Sequence, residues 1–147
     1  MDLQEPENKM STTGGTAMGT VLIADPPDVI RRKFKTAVTD SGRDVRRAPD
    51  KPGVTNLVDI MSVATGRAPE DIEREYEGQG YGSFKAGVAE AVIALLEPIQ
   101  RRYRELRSDQ AELERLLAQG SRKSIESSRP TLQAMYDRMG FTRRHPD

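Results

Sequence analysis

The chain has 147 residues, with 23 basic and 23 acidic side chains, one His, no Cys and no Trp. That length supports one principal core. The lack of Cys excludes disulfides and thiolate chemistry, and the cancelled charge gives no overall pull toward nucleic acid. With 35% apolar and 5% aromatic residues, a thick β-sandwich is disfavoured and helices with one apolar stripe each are favoured.

Residues 1–20 read as a loop, with Gly14, Gly15 and Gly19 among small polar residues. Val21-Leu22-Ile23 is long enough only for a short strand. Asp25-Pro26 has the form of an N-cap followed by proline at the first helical position. It predicts a helix over about 27–39 with Ile30, Phe34, Ala37 and Val38 inward, and Arg31, Arg32, Lys33 and Lys35 largely outward. A connector with two prolines follows. Thr55 is the expected cap of a second helix through Ala64, with Leu57, Ile60, Met61 and Ala64 inward and Gly66 as its stop. Pro69 opens a short third helix. Its carboxylates, Glu70, Asp71, Glu73 and Glu75, complement a helix N-terminus better than they make a metal site.

Gly78, Gly80 and Gly82 are expected to break the chain before the clearest element. There Phe84, Val88, Val92, Leu95, Ile99, Tyr103 and Leu106 recur at steps of three and four, the period of a helix. Pro98 inside it predicts a kink. Ser108 is read as a new N-cap for a fifth helix ending at Gly120, and a sixth spans Ser121 to Met139, with Pro130 as a second interruption. Charge is locally uneven: Arg31–Lys51 is mainly basic and Arg67–Glu77 mainly acidic. A solvated face is the ordinary reason for such segregation; steering a polyanion is the functional one. No stretch reaches the ~18 apolar residues of a membrane span. Met1–Pro6 lacks the apolar region of a signal peptide. The expectation is a cytoplasmic protein with no membrane association.

Lys9-Met10-Ser11-Thr12-Thr13-Gly14-Gly15-Thr16 places one cation beside hydroxyls and glycines. Glycines let backbone N–H groups approach a phosphate closely. Alone, such a segment is usually only a flexible loop, and the order of a P-loop is absent.

Asp2-Leu3-Gln4-Glu5-Pro6-x-x-Lys9-Met10-Ser11 resembles the lead-in and first half of the KMSKS loop of class I aminoacyl-tRNA synthetases, the tryptophan–tRNA ligases in particular. Asp25-Pro26-Pro27-x-x-Ile30-x-x-Lys33-x-x-x-Ala37-Val38-Thr39-Asp40-Ser41 is similar to the first helix after that loop, and Lys51-Pro52-Gly53-Val54-x-Asn56-Leu57 to the start of the next. The block Tyr76-Glu77-Gly78-x-Gly80-Tyr81-Gly82-x-Phe84-Lys85 is the most specific. Pro98-Ile99-x-x-Arg102-Tyr103 and Gly120 continue the pattern, so the similarity runs over residues 2–141.

The resemblance implies an all-α helical bundle of the anticodon-binding type, preceded by a loop and short strand left over from a Rossmann-type catalytic domain. The implied division is a signature-loop remnant over 1–24, a helical tRNA-binding domain over 25–142 and a tail over 143–147. It assigns Lys9, Met10, Ser11 and Thr12 to an ATP loop, ATP being used with Mg2+, with Lys9 stabilising the departing pyrophosphate. Thr12 replaces the family's second lysine and Thr13 its final serine. Thr12 brings no charge, and a cation placed where phosphate charge develops contributes much to such catalysis. Gly14 and Gly15 offer backbone donors as partial compensation. No metal-ligating set is expected on this chain.

For RNA, the candidates are Arg101, Arg102, Arg104 and Arg107 on the long helix and Arg122, Lys123 and Arg129 on the last. The implied chemistry is phosphate contact with base readout in a single-stranded loop. The implied partners are tRNA(Trp) and a second copy, since the family works as a homodimer. The family's His-x-Gly-His block and nucleotide-binding half are absent from this sequence. Two readings follow. The chain is the carboxy-terminal part of a tryptophan–tRNA ligase, acting with a catalytic half and inactive alone, or it is a stand-alone helical module with an RNA-binding or regulatory role.

Overall fold

The computed structural model describes residues 1–11 and 13–141; Thr12, the expected tail over 143–147 and His145 lie outside the described residues. The chain divides into two compact units, Met1–Arg101 and Arg102–Asp147. The described residues form five helices: α1 (Pro27–Lys35), α2 (Pro52–Thr65), α3 (Pro69–Glu75), α4 (Gly80–Ser108) and α5 (Gln110–Met139).

The all-α expectation holds, with differences in detail. Val21–Ile23 is not a strand among the described residues. A strand needs a ladder partner, and here the local polar groups turn the chain instead: the Leu22 N–H donates to Asp25 Oδ2 at 2.8 Å and the Asp25 N–H to the Leu22 carbonyl at 3.0 Å. Asp25 therefore caps no helix. Pro27, Pro52 and Pro69 each open a helix without a side-chain cap, as proline does where its missing N–H would be unpaired anyway. Thr55 likewise lies inside α2, its hydroxyl exchanging hydrogen bonds with the backbone of Ala48.

α1 stops earlier than its periodicity predicts. The Thr36 hydroxyl donates to the carbonyls of Arg32 and Lys33 at the helix end. The chain then extends, the Val38 N–H reaching the Leu3 carbonyl at 2.8 Å, so Val38 is exposed rather than inward. Its carbonyl lies where a side chain on Gly53 would collide with it. Gly78 and Gly80 take positive φ near 75° and end the α3 segment, whereas Gly82 is already inside α4. Gly120 and Pro130 do not interrupt α5. A helical glycine costs only about 1 kcal/mol relative to alanine, and one proline removes a single bond from a long cooperative ladder. The expected fifth and sixth helices are therefore one. Its N-cap is Asp109, whose carboxylate accepts from the Glu112 N–H at 3.0 Å.

The first unit has a closed core. Leu3, Ile30, Phe34, Val54, Leu57, Val58, Ile72, Phe84 and Val88 are almost wholly inaccessible, drawn from the amino-terminal segment and from α1 to α4. Burying such side chains stabilises by roughly 1.5–3 kcal/mol each. Tyr76 meets Phe84 edge-on with centroids 5.2 Å apart, and the space its ring needs exists because residue 87 is glycine. The stripe of α4 divides: Phe84, Val88 and Val92 are buried, while Leu95, Ile99 and Tyr103 are exposed. In the second unit α5 buries no residue.

Candidate functional site

The segment carrying Lys9, Met10 and Ser11 is held at both ends. The amino-terminal NH3+ group donates to Asn56 Oδ1 at 2.8 Å, and Asn56 Nδ2 returns bonds to the carbonyls of Met1 and Asp2. Leu3 is buried, and its N–H donates to the Gly19 carbonyl. The buried Asp2 carboxylate accepts the N–H groups of Gln4 and Glu5 and lies so close to Gly19 that no side chain fits there. Between these anchors Met10 packs against the core, while Lys9 is exposed and makes no hydrogen bond or ion pair among the described residues.

Ser11 organises the turn beyond. Its Oγ accepts from the N–H groups of Thr13 and Gly14, and its carbonyl accepts from the Gly15 N–H and the Thr20 hydroxyl. The backbone donors that Gly14 and Gly15 were expected to offer a ligand are thus spent within the loop. Thr12 is outside the described residues.

A cavity of about 450 Å³ opens beside this turn, lined on one side by Ser11, Gly15, Thr16 and Thr20 and on the other by Val29, Arg32 and Lys33 of α1. Lys33, expected to face outward, is buried. Its Nζ donates to Asp25 Oδ2 at 2.5 Å and to the Thr20 carbonyl at 2.7 Å. A buried charge needs a paired, hydrogen-bonded partner, and this one joins α1 to the carboxy-terminal end of the loop segment. Arg32 is exposed on the cavity rim with no partner among the described residues. Periodicity misplaces Lys33. Its presence in a block chosen by resemblance, like that of Asn56, was the available signal.

A second polar cluster fixes the connector between α1 and α2. Tyr81 Oη donates to Asp40, and Lys51 Nζ donates to both Tyr81 Oη at 2.8 Å and Asp40 Oδ1 at 3.1 Å. Burial by itself raises the Asp40 carboxyl, but the bonds from Tyr81, the Gly42 N–H and Lys51 outweigh it and hold it below the usual carboxylate range. The bond to Tyr81 raises the Lys51 ammonium, and burial raises the Tyr81 phenol. Tyr81 therefore fastens the connector to the first turn of α4. Arg47 similarly ties the connector to Glu70 and Glu73 of α3.

The expected RNA-contact residues are all exposed: Arg101 at the end of the first unit; Arg102, Arg104 and Arg107 on the last turns of α4; Arg122, Lys123 and Arg129 on α5. Arg102 pairs with Glu105 at 3.1 Å. Among the described residues no group of three or more His, Asp or Glu side chains converges as a metal site, and no helix is long and apolar enough to cross a membrane.

Comparison with known proteins gives this arrangement a family. A family described as tRNA synthetases class I (W and Y) matches residues 1–97, and the chain belongs to it. Within that class the similarity is to tryptophan–tRNA ligases. The Clostridium tetani protein is 44% identical over 141 residues, covering 96% of this chain and 42% of that protein. The Enterococcus faecalis protein is 46% identical over 145 residues, covering 98% and 43%. The crystal structure of tryptophanyl-tRNA synthetase from Mycoplasma pneumoniae superposes with a TM-score of 0.83 at 28% identity, covering 97% of this chain and 45% of that one. The chain therefore spans less than half the length of these relatives.

Proposed function

We propose that this chain is the carboxy-terminal part of a tryptophan–tRNA ligase, supplying the KMSKS-like loop and tRNA-binding helices to the ATP-dependent attachment of tryptophan to its tRNA, and inactive without a catalytic half. The observation that carries the reading is the similarity to tryptophan–tRNA ligases over nearly all of this chain, which includes a signature segment folded onto the helical core. In this reading Lys9 faces the phosphates, Met10 anchors the loop in the core, and Ser11 and Thr12 complete it. ATP, when bound, would supply the adenylyl group that activates the tryptophan carboxylate, with pyrophosphate leaving. Here the loop's own part is to hold a cation against that pyrophosphate, and Arg32 is an unpaired cation on the cavity that Ser11 and Gly15 of the loop line. The partners are tRNA(Trp), a catalytic half and, through that half, a second copy; the location is the cytoplasm.

An apolar groove supports the need for another body. Met1, Met10, Val21, Ile23, Val63 and Leu95 line about 440 Å³ of it, and Val63 is 81% exposed. The second reading, a stand-alone helical RNA-binding or regulatory module, is favoured by one observation: the core from Leu3 to Val92 closes without any further segment. Tryptophan-dependent ATP–pyrophosphate exchange separates the two. The purified chain is expected to show none, and adding an amino-terminal half from a relative is expected to restore it. Exchange by the chain alone overturns the claim of inactivity. Failure to restore exchange with a half that binds the chain favours the stand-alone module.

A further inference from the structure

A cleft of about 330 Å³ lies between α1 and the first turns of α4, within the first unit. Arg31, Lys35 and Lys85 line it, with Gly82, Ala86 and Ala89 as its small-residue surface and Glu90 at one side.

Its charges do not cancel. Glu90 is engaged by Arg31 in a two-point bond, Nε to Oε1 at 2.6 Å and Nη2 to Oε2 at 3.1 Å. That leaves two ammonium groups without a carboxylate. Lys35 is exposed and makes no hydrogen bond or ion pair among the described residues. Lys85 is half-buried and donates once, to the Ala37 carbonyl at 2.8 Å. An ammonium carries three donors, so two remain on Lys85. Burial alone acts on it, pulling its pKa down, and no acid restores it. A partly desolvated cation with unused donors is stabilised by any anion that reaches it.

The remainder of the cleft is small and apolar. Ala86 is exposed and projects only a methyl group, Ala89 is itself buried, and a Cβ on Gly82 would meet nothing within 4 Å, so the approach is open. Two unspent cations beside small apolar residues match a phosphodiester carrying an exposed ribose and base, the form in which single-stranded RNA is recognised.

We propose that this cleft contacts single-stranded tRNA, with a phosphate on Lys35 and Lys85 and the attached nucleoside over the exposed Gly82 and Ala86. The proposal rests on the tRNA-binding reading above and adds a contact site in the first unit. The test is fluorescence anisotropy of the full chain with an anticodon stem-loop of tRNA(Trp) across a salt series, with circular dichroism melts verifying that each variant folds. Lys35→Ala is expected to weaken binding about threefold and to reduce the salt slope by about 0.7, the value for one single-strand phosphate. Lys35→Glu is expected to weaken it about tenfold, since a repelling charge replaces an attracting one. Lys85→Gln keeps a donor for Ala37 while losing the charge, and is expected to resemble Lys35→Ala. Arg74→Gln, removing an exposed cation elsewhere in the first unit, is expected to leave affinity within twofold. RNA binding that persists unchanged in the Lys35 and Lys85 variants overturns the cleft and spares the tRNA reading. No binding by the wild-type chain even at low salt overturns both. Displacement by polyglutamate as readily as by unlabelled RNA overturns the cleft in favour of an acidic polypeptide.

Discussion

In residues 1–101, Phe34, Leu57, Ile72, Phe84 and Val88 are almost inaccessible; in residues 102–141, Leu117, Ile125, Leu132, Met135 and Met139 are each about half exposed or more. The first region is stabilised by shared burial among distant segments. The second is held by terms reaching only a few residues: the Asp109 cap, the Glu112–Arg115 pair at 2.6 Å, and a left-handed Gly140 beyond which Phe141 meets Tyr136 edge-on. A helix cap of this kind contributes about 1 kcal/mol, and an exposed ion pair is screened by solvent. An amphipathic helix draws most of its stability from packing its apolar face, so the same stripe of leucines carries very different weight in the two regions.

The contrast is broken most directly by matched truncations. Phe84→Ala removes a fully buried ring and is expected to cost about 4 kcal/mol in chemical denaturation, whereas Leu132→Ala is expected to change stability by less than about 0.5 kcal/mol. Equal costs would refute the difference between the regions. A smaller effect sharpens the account of the loop segment. Lys33→Met leaves the partly buried Asp25 carboxylate without its cation and is expected to cost about 3 kcal/mol, with faster proteolysis confined to residues 9–25. A smaller cost again is expected for Asp109→Ala, about 1 kcal/mol from loss of the α5 cap. It should appear as reduced helicity with little change in the unfolding of the first unit, and a large shift in that unfolding would contradict the local account.

Much of the fold was legible because the period of α2 and of early α4 matches what is buried: Leu57, Met61, Phe84, Val88 and Val92 all enter the core. The proline starts of α1 and α3 were readable for the same local reason. Caps were read less well. Asp25 and Thr55 have the right chemistry for capping, but each found a better partner across the chain, in Lys33 and Ala48. The signature segment was legible as a motif, yet its internal wiring was not: nothing in Lys9–Thr16 announces that Ser11 takes up the backbone donors of its neighbours.

Helical class and the amphipathic faces of α2 and early α4 follow from spacing alone, because a helix repeats every ~3.6 residues wherever it lies. The family likewise follows from residue order in the signature and glycine-rich blocks. Which apolar residues are hidden, and whether a lysine faces water or a carboxylate, depends on what other segments bring within a few ångströms. That is why Val38, Leu95 and Ile99 stand exposed, why Lys33 lies buried against Asp25, and why Lys35 and Lys85 share a cleft that no local pattern reveals.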